Sequence, residues 1–309
     1  MKNILLLLVL LASLTVMGQN EEEWQVRFSN GTLKGTLLMP KTASKTVVLL
    51  LAGSGPTDRN GNNPFAKNNS LKMLAQALAN NNIASLRVDK RTIGASRFKN
   101  LDESKISFDD FVNDVIKWVD TLKQTKKFNK IWIAGHSQGS LVGMIAAYKT
   151  KVSGFISLAG AGSNIADIIK QQLSNSAKPI KQASYQILDS LIVGKQVKNV
   201  SPILFSLFRP SVQPFWISWM KYYPEKEIQK LKIPILIING TTDLQVAVSE
   251  AEKLHQANQK SMIIVIEGMN HILKPAPNDK QANLKTYFQP NLPLHKDLVP
   301  TLVDFIQNH

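Results

Sequence analysis

The chain has 309 residues, 44% of them hydrophobic, enough to bury one sizeable core, although composition does not separate one large α/β domain from two smaller ones. Thirty-seven basic residues against 22 acidic ones give a formal charge of +15, yet 31 of the 37 are lysines spread over nearly every segment and the six arginines are scattered. That distribution fits a solvated lysine surface and argues against a nucleic-acid reader, while the absence of cysteine excludes both a disulfide scaffold and a lipobox.

The first segment, "MKNILLLLVLLASLTVMGQN", has one early lysine, an apolar run from Ile4 to Val16 and small residues near Gly18. This is the layout of a cleaved signal peptide over residues 1–18 rather than a membrane span, so a periplasmic or secreted protein without stable membrane insertion is expected. Trp24 to Pro40 alternates around Asn30-Gly31, a hairpin signal, and leads into the apolar run "TVVLLLAG" ending at Gly53. Helical and strand patterns then alternate: "LKMLAQALANNN", "IASLRVD", and "SFDDFVNDVIKWVDTLKQ", in which Phe108, Phe111, Val112, Val115 and Val119 share one helical face. "KIWIAG" reads as a strand, Ser140 to Tyr148 as a helix and "VSGFISLAG" as a further strand. Continuous apolar strands separated by amphipathic helices predict a mostly parallel sheet covered on both faces, preceded by antiparallel strands.

The alternation stops near Ser163 and resumes at "KIPILIING", Lys232 to Gly240. The intervening segment contains Phe205, Phe208, Phe215, Trp216, Trp219, Tyr222 and Tyr223, broken into short helices by Pro202, Pro210, Pro214 and Pro224. It reads as an inserted helical cap over residues 163–230, splitting a core made of residues 19–162 and 231–309. Its aromatics form a cap core or, in part, line an apolar pocket. Beyond it, Ser249 with Glu252 predicts a capping box opening a helix, "SMIIVIEG" a strand, and Pro293 to His309 a last helix.

"GHSQG", Gly135 to Gly139, lies between the strand "KIWIAG" and a helix, the setting of a nucleophile elbow with Ser137 as nucleophile. A serine hydroxyl needs a histidine base held by a carboxylate. Of five histidines, His136 is expected to point away from the elbow, His255 falls within a helix, His295 opens the last helix and His309 ends the chain. His271, in the loop after "SMIIVIEG", stands where a catalytic residue of a parallel sheet belongs. By the same reasoning Asp243, after "PILIING", is the expected acid; Asp167 and Asp189 fall in the cap, Glu250 and Glu252 at a helix start, and Glu267 is a weaker substitute.

The loop "AGSGPTDRNGNN" is then explained by an acyl-transfer oxyanion, which needs backbone N–H donors already in place. Gln138 and Ser54 are the expected donors, with Gly53 and Gly55 letting the backbone turn, and Asp58 and Arg59 bracing the loop by pairing with each other or with Asp89 to Arg91. A phosphate loop would need Gly-Lys-Ser/Thr, which is lacking; a calcium loop begins plausibly at Asp58, Asn60 and Asn62 but has Asn63 and Asn69 where glycine and glutamate belong. No paired histidines offer zinc ligands, and neither metal nor cofactor is implied.

With these residues in place, the chain resembles the α/β-hydrolase superfamily from about Trp24 onward. More narrowly, "GSGPTDRNGN" followed by "RVDKRTIGAS" is similar to a bacterial esterase group with the Hydrolase_4, or serine aminopeptidase S33-like, domain. The resemblance implies the α/β-hydrolase fold and a carboxylic ester hydrolase, often acting on short acyl chains, through Ser137, Asp243 and His271. Two departures stand out: the first loop lacks the common His-Gly dipeptide, and Thr92 occupies a position where the group tends to have glycine. The expected activity is hydrolysis of a small-molecule ester; peptide or aminoacyl hydrolysis by the same triad and a noncatalytic binding protein are the alternatives, a membrane or glycan partner for the lysine surface stays possible, and the oligomeric state is open.

Overall fold

A computed structural model describes residues 20–309, so the apolar run with its expected cleavage after Gly18 lies outside the described residues. Nine strands form one sheet. Strands β1 (Asn20–Phe28) and β2 (Gly31–Met39) make the antiparallel hairpin expected at Asn30-Gly31, and β2 also pairs antiparallel with β4 (Ala84–Val88) and the short β5 (Arg97–Phe98). From β4 the sheet is parallel through β3 (Thr46–Leu51), β6 (Lys130–His136), β7 (Gly154–Leu158), β8 (Ile235–Gly240) and β9 (Met262–Ile266). The order across the sheet is β1-β2-β4-β3-β6-β7-β8-β9.

Period-two geometry sends successive side chains of each central strand to opposite faces, and both faces are buried, which is why these strands are apolar throughout. Val47, Leu49 and Leu51 of β3, with Ile131 and Ile133 of β6, face the helices α2 (Phe108–Gln124) and α3 (Gln138–Thr150). Val48 and Leu50, with Trp132, Ala134, Leu236 and Ile238, face α1 (Ser70–Asn80) and the C-terminal helix α11 (Leu298–Asn308). Between β7 and β8 the chain makes five helices: α4 (Ile165–Gln172), α5 (Lys178–Ile192), α6 (Pro202–Phe208), α7 (Gln213–Met220) and α8 (Pro224–Ile228). Phe208, Trp216 and Trp219 are buried in the same hydrophobic cluster as α2 and α3, so these aromatics are core, whereas Phe205 and Tyr223 are exposed.

Several local expectations are corrected. Helix α3 begins at Gln138 rather than Ser140, because the turn at Ser137 feeds directly into it. Helix α9 (Val248–Ala257) opens without the Ser249/Glu252 capping box: Ala247 is its N-cap and makes no side-chain cap bond. Glu250 lies in the first turn of this helix, as expected, and its carboxylate reaches across to accept from Gly162 N, Ser163 N and Ser163 Oγ. The last helix begins at Leu298, not Pro293; His295 precedes it, buried, with its N–H donated to Leu273 O. A short α10 (Lys280–Thr286) had no counterpart in the sequence pattern. Among the described residues no helix is long and apolar enough to cross a membrane.

Candidate active site

The parallel strands deliver their C-terminal loops to one edge of the sheet, and β3, β6, β8 and β9 carry the four segments singled out above. After β6 the backbone turns sharply at Ser137, whose φ of 54° and ψ of −119° lie in a region that L-residues rarely adopt. The two glycines of "GHSQG" permit that turn. A Cβ on Gly135 would stand 2.1 Å from Gly139 O, and one on Gly139 would stand 2.7 Å from Ala52 O, so strand, helix and the β3 loop meet at distances no side chain allows. Ser137 N donates to Leu158 O at the end of β7, which anchors the strained turn to the sheet.

Asp243 and His271 come together from the loops after β8 and β9. His271 Nδ1 and Asp243 Oδ2 are 2.8 Å apart, with both side chains almost wholly buried. The second oxygen, Oδ1, accepts from Gln245 N at 2.7 Å and Val246 N at 2.9 Å, so the carboxylate is used entirely as an acceptor. His271 must therefore carry its proton on Nδ1, which leaves Nε2 with a free lone pair. The two loops are also stitched together: Thr241 N donates to Ile266 O, Thr242 N to Met269 O and Gly268 N to Thr241 Oγ1. Buried Asn270 ties the histidine loop to α10 through Thr286 Oγ1 and Asn283 Oδ1. Ser137 and His271 make no hydrogen bond to each other in this structure; such contacts often tighten only when substrate is bound.

The β3 loop approaches the elbow directly. A Cβ on Gly53 would lie 3.2 Å from Ser137 Cβ, placing the next peptide, with Ser54 N–H, beside Ser137. Neither Ser54 N nor Gln138 N, the first residue of α3, has a hydrogen-bond partner among the described residues. Arg59 braces the loop against Asp89, in the expected Asp89 to Arg91 segment: its N and Nε donate to the two oxygens of Asp89 at 2.8 and 3.0 Å. Asp58 does not pair with Arg59; its Oδ1 accepts from Asn60 N and Asn62 N and closes a tight turn. Beside Gln138 and Ala52 lies a narrow apolar recess of about 30 Å³, walled by Phe111, Val115, Trp118 and Val142.

Comparison with solved structures settles what this scaffold is. Est1E from Butyrivibrio proteoclasticus, with ferulic acid bound, matches at a TM-score of 0.64 and 18% identity, covering 92% of this chain and 99% of that one. The Pyrococcus furiosus esterase Pf2001 matches at 0.59 and 16% identity, covering 94% and 93%. This chain has the α/β-hydrolase fold. The family model described as serine aminopeptidase, S33, matches residues 67–213 of this chain. Esterase EstD of Thermotoga maritima is 24% identical over 256 residues, 78% of this chain, which spans 58% of that relative's length.

Two residues at this site were not singled out from the sequence. His136 does not point away: its buried ring lies 4.9 Å, centroid to centroid, from that of His271, and its Nε2 donates to His271 O at 2.7 Å. Burial, with the neighbouring His271 adding to it, pushes His136 down to about 4, so the ring is neutral near pH 7. Lys90, two residues past β4, donates its Nζ to both Gly53 O and Gly55 O. Burial pushes its ammonium down to about 7 against the opposing attraction of Asp89 and Asp58. Only the tripeptide "DKR" hinted at Lys90, and His136 carried no signal beyond its place before the serine.

Proposed function

We propose that this protein is a serine hydrolase acting on carboxylic esters of short to medium acyl chains, through Ser137, His271 and Asp243. The observation that carries the reading is the 2.8 Å His271–Asp243 pair on the loops after β8 and β9, next to a serine held at φ 54° where β6 meets α3. The names of Esterase EstD, Est1E and the esterase Pf2001 support the ester class. In this reading Ser137 Oγ attacks the acyl carbon while His271 Nε2 takes its proton, and the carbonyl oxygen becomes an oxyanion received by the N–H groups of Ser54 and Gln138. Asp243 holds the Nδ1–H tautomer and stabilises the imidazolium. The proton then passes from His271 to the departing alkoxide, leaving an acyl-serine ester. Water, deprotonated by His271, attacks that ester, and the acid and free Ser137 hydroxyl are released.

The recess beside Gln138 favours small acyl groups, since about 30 Å³ admits only about two water-sized groups. The decisive test is a nitrophenyl ester series from acetate to palmitate on the wild type and on Ser137→Ala. Turnover highest at the short end and lowered by about 10⁴- to 10⁶-fold in Ser137→Ala, with the fold retained, is the expected result. Full activity in Ser137→Ala ends the reading. The description of the matching family as a serine aminopeptidase supports a second reading, amide hydrolysis by the same residues, which predicts turnover of aminoacyl anilides in preference to esters.

A further inference from the structure

We propose that Lys90 is a positioning residue for the oxyanion site: by binding the carbonyls on both sides of Ser54, it aims the Ser54 N–H at the nucleophile. The inference rests on the serine-hydrolase reading above. Its starting point is covalent geometry. The carbonyl of Gly53 and the N–H of Ser54 belong to one peptide unit, and none of the described peptide bonds is cis. In a planar trans peptide the C=O and N–H point in opposite directions. Whatever holds Gly53 O on one side therefore directs Ser54 N–H to the other. Lys90 Nζ holds that oxygen, and it also holds Gly55 O at 2.6 Å, so the peptide that precedes Ser54 and the peptide that follows Gly55 are fixed by one group. The Gly53 Cα that begins this unit packs against Ser137.

The surroundings leave Lys90 no other evident task. It forms no ion pair among the described residues, and the carboxylates nearest to it are already occupied. Asp89 accepts from Arg59 N, Arg59 Nε and Ala95 N, and Asp58 accepts from Asn60 N and Asn62 N. A half-buried lysine bound by carbonyls rather than by a carboxylate gives up part of its hydration without a counter-charge, and the loop it holds is otherwise short of anchors at its tip. Ser54 and Gly55 are exposed, Gly55 has φ +65°, and the one side-chain bond within the tip is Thr57 Oγ1 to Ser54 O. The loop's own hydrogen bonds do not select the direction of the Ser54 peptide; Lys90 supplies that selection.

The test replaces Lys90 with Met, which keeps the stem beside the apolar recess and removes the ammonium, and with Arg, which can still donate to two carbonyls. Five quantities are read on each protein: kcat and KM on the best ester of the series, the inhibition constant of an alkyl boronic acid, the rate of Ser137 labelling by a fluorophosphonate, and Tm. Lys90→Met is expected to lower kcat about 10- to 1,000-fold with KM within about 3-fold, to weaken the boronate by a similar factor and to slow labelling, because each depends on an oxygen entering the oxyanion site. Lys90→Arg is expected to recover much of the loss. If Lys90→Met does not fold, Lys90→Gln, a neutral donor, is read in its place. Unchanged kcat and labelling in a folded variant overturn the proposal, as does a loss explained wholly by the unfolded fraction. A wild type with neither Ser137-dependent turnover nor Ser137 labelling overturns the hydrolase reading itself, a result distinguishable from the failure of Lys90 alone.

Discussion

His136 shows how a residue beside Ser137 can order the candidate site through a single hydrogen bond. Its Nε2–H to His271 O bond ties the turn after β6 to the loop after β9, so the strained turn at Ser137 and the His271 loop are positioned by one imidazole. Keeping that ring neutral has a consequence for stability. An unfolded histidine takes up its proton near pH 6.5, whereas His136 in the folded chain does so only near 4. Between those values the unfolded state binds more protons, so the contribution of His136 is complete above pH 6.5 and is lost as pH falls through about 4. The full loss is on the order of 3 kcal/mol at about 1.4 kcal/mol per pH unit. Urea unfolding at pH 7 and pH 4.5 is expected to show a shallower decline for His136→Gln, which keeps a donor for His271 O but does not titrate. An equal decline in both proteins removes His136 from the acid response. The conformation of Thr92 belongs to the same scale: it stands at φ 63°, a region that glycine enters without a steric penalty, which accounts physically for the glycine expected there.

Among the elements, α2 couples the sheet to the helices between β7 and β8. Ser107 and Asp110 form a complete capping box at its start. The Phe108 N–H, one of the donors a helix start leaves without an internal partner, is satisfied by Ser218 Oγ of α7 at 2.8 Å. Asp109 accepts from Tyr222 Oη, and upstream Glu103 pairs with Arg209 and accepts from Ser211 Oγ. Ser218→Ala leaves the buried Phe108 N–H unpaired and is expected to cost about 1–3 kcal/mol, read as a shift in the urea midpoint with unchanged m. A change below about 0.5 kcal/mol means that water replaces the serine. Such long-range partners mark the limit of sequence reading. The strands were legible because burial on both faces demands a continuous apolar run, as in Val47–Leu51 and Ile235–Ile238, and Ser137, Asp243 and His271 were singled out because each sits next to such a strand. Helix α10 was not legible: its buried residues are Asn283 and Thr286, which serve hydrogen bonds and leave no apolar stripe. Lys90 was missed as a site residue because its partners are carbonyls 35 and 37 residues away, and a carbonyl leaves no mark in the amino-acid pattern.

For the molecule as a whole, the question is whether the helices between β7 and β8 behave as a separate unit or as part of the core. Their aromatics decide it. Trp219 stacks on Phe108 of α2 with ring centroids 5.5 Å apart and on Trp216 at 5.4 Å, while Phe215 packs against both Phe108 and Phe111. These rings continue the hydrophobic cluster that covers β3 and β6, so pulling α7 away exposes α2 as well. Apolar burial shared across both segments makes their unfolding cooperative. The tryptophans report on each part: Trp118 and Trp132 lie in α2 and β6, Trp216 and Trp219 in α7. Urea unfolding followed by tryptophan fluorescence and by far-UV circular dichroism is therefore expected to give one coincident transition. Trp219→Ala, which empties a site only 6% exposed, should move both curves together by about 3–5 kcal/mol. An early fluorescence change in the wild type, with most of the helical signal and the buried Trp118 and Trp132 environments kept, would show instead that α4 to α8 open on their own. The free energy of that opening would then set how readily the segment can move relative to the sheet edge that carries Ser137 and His271.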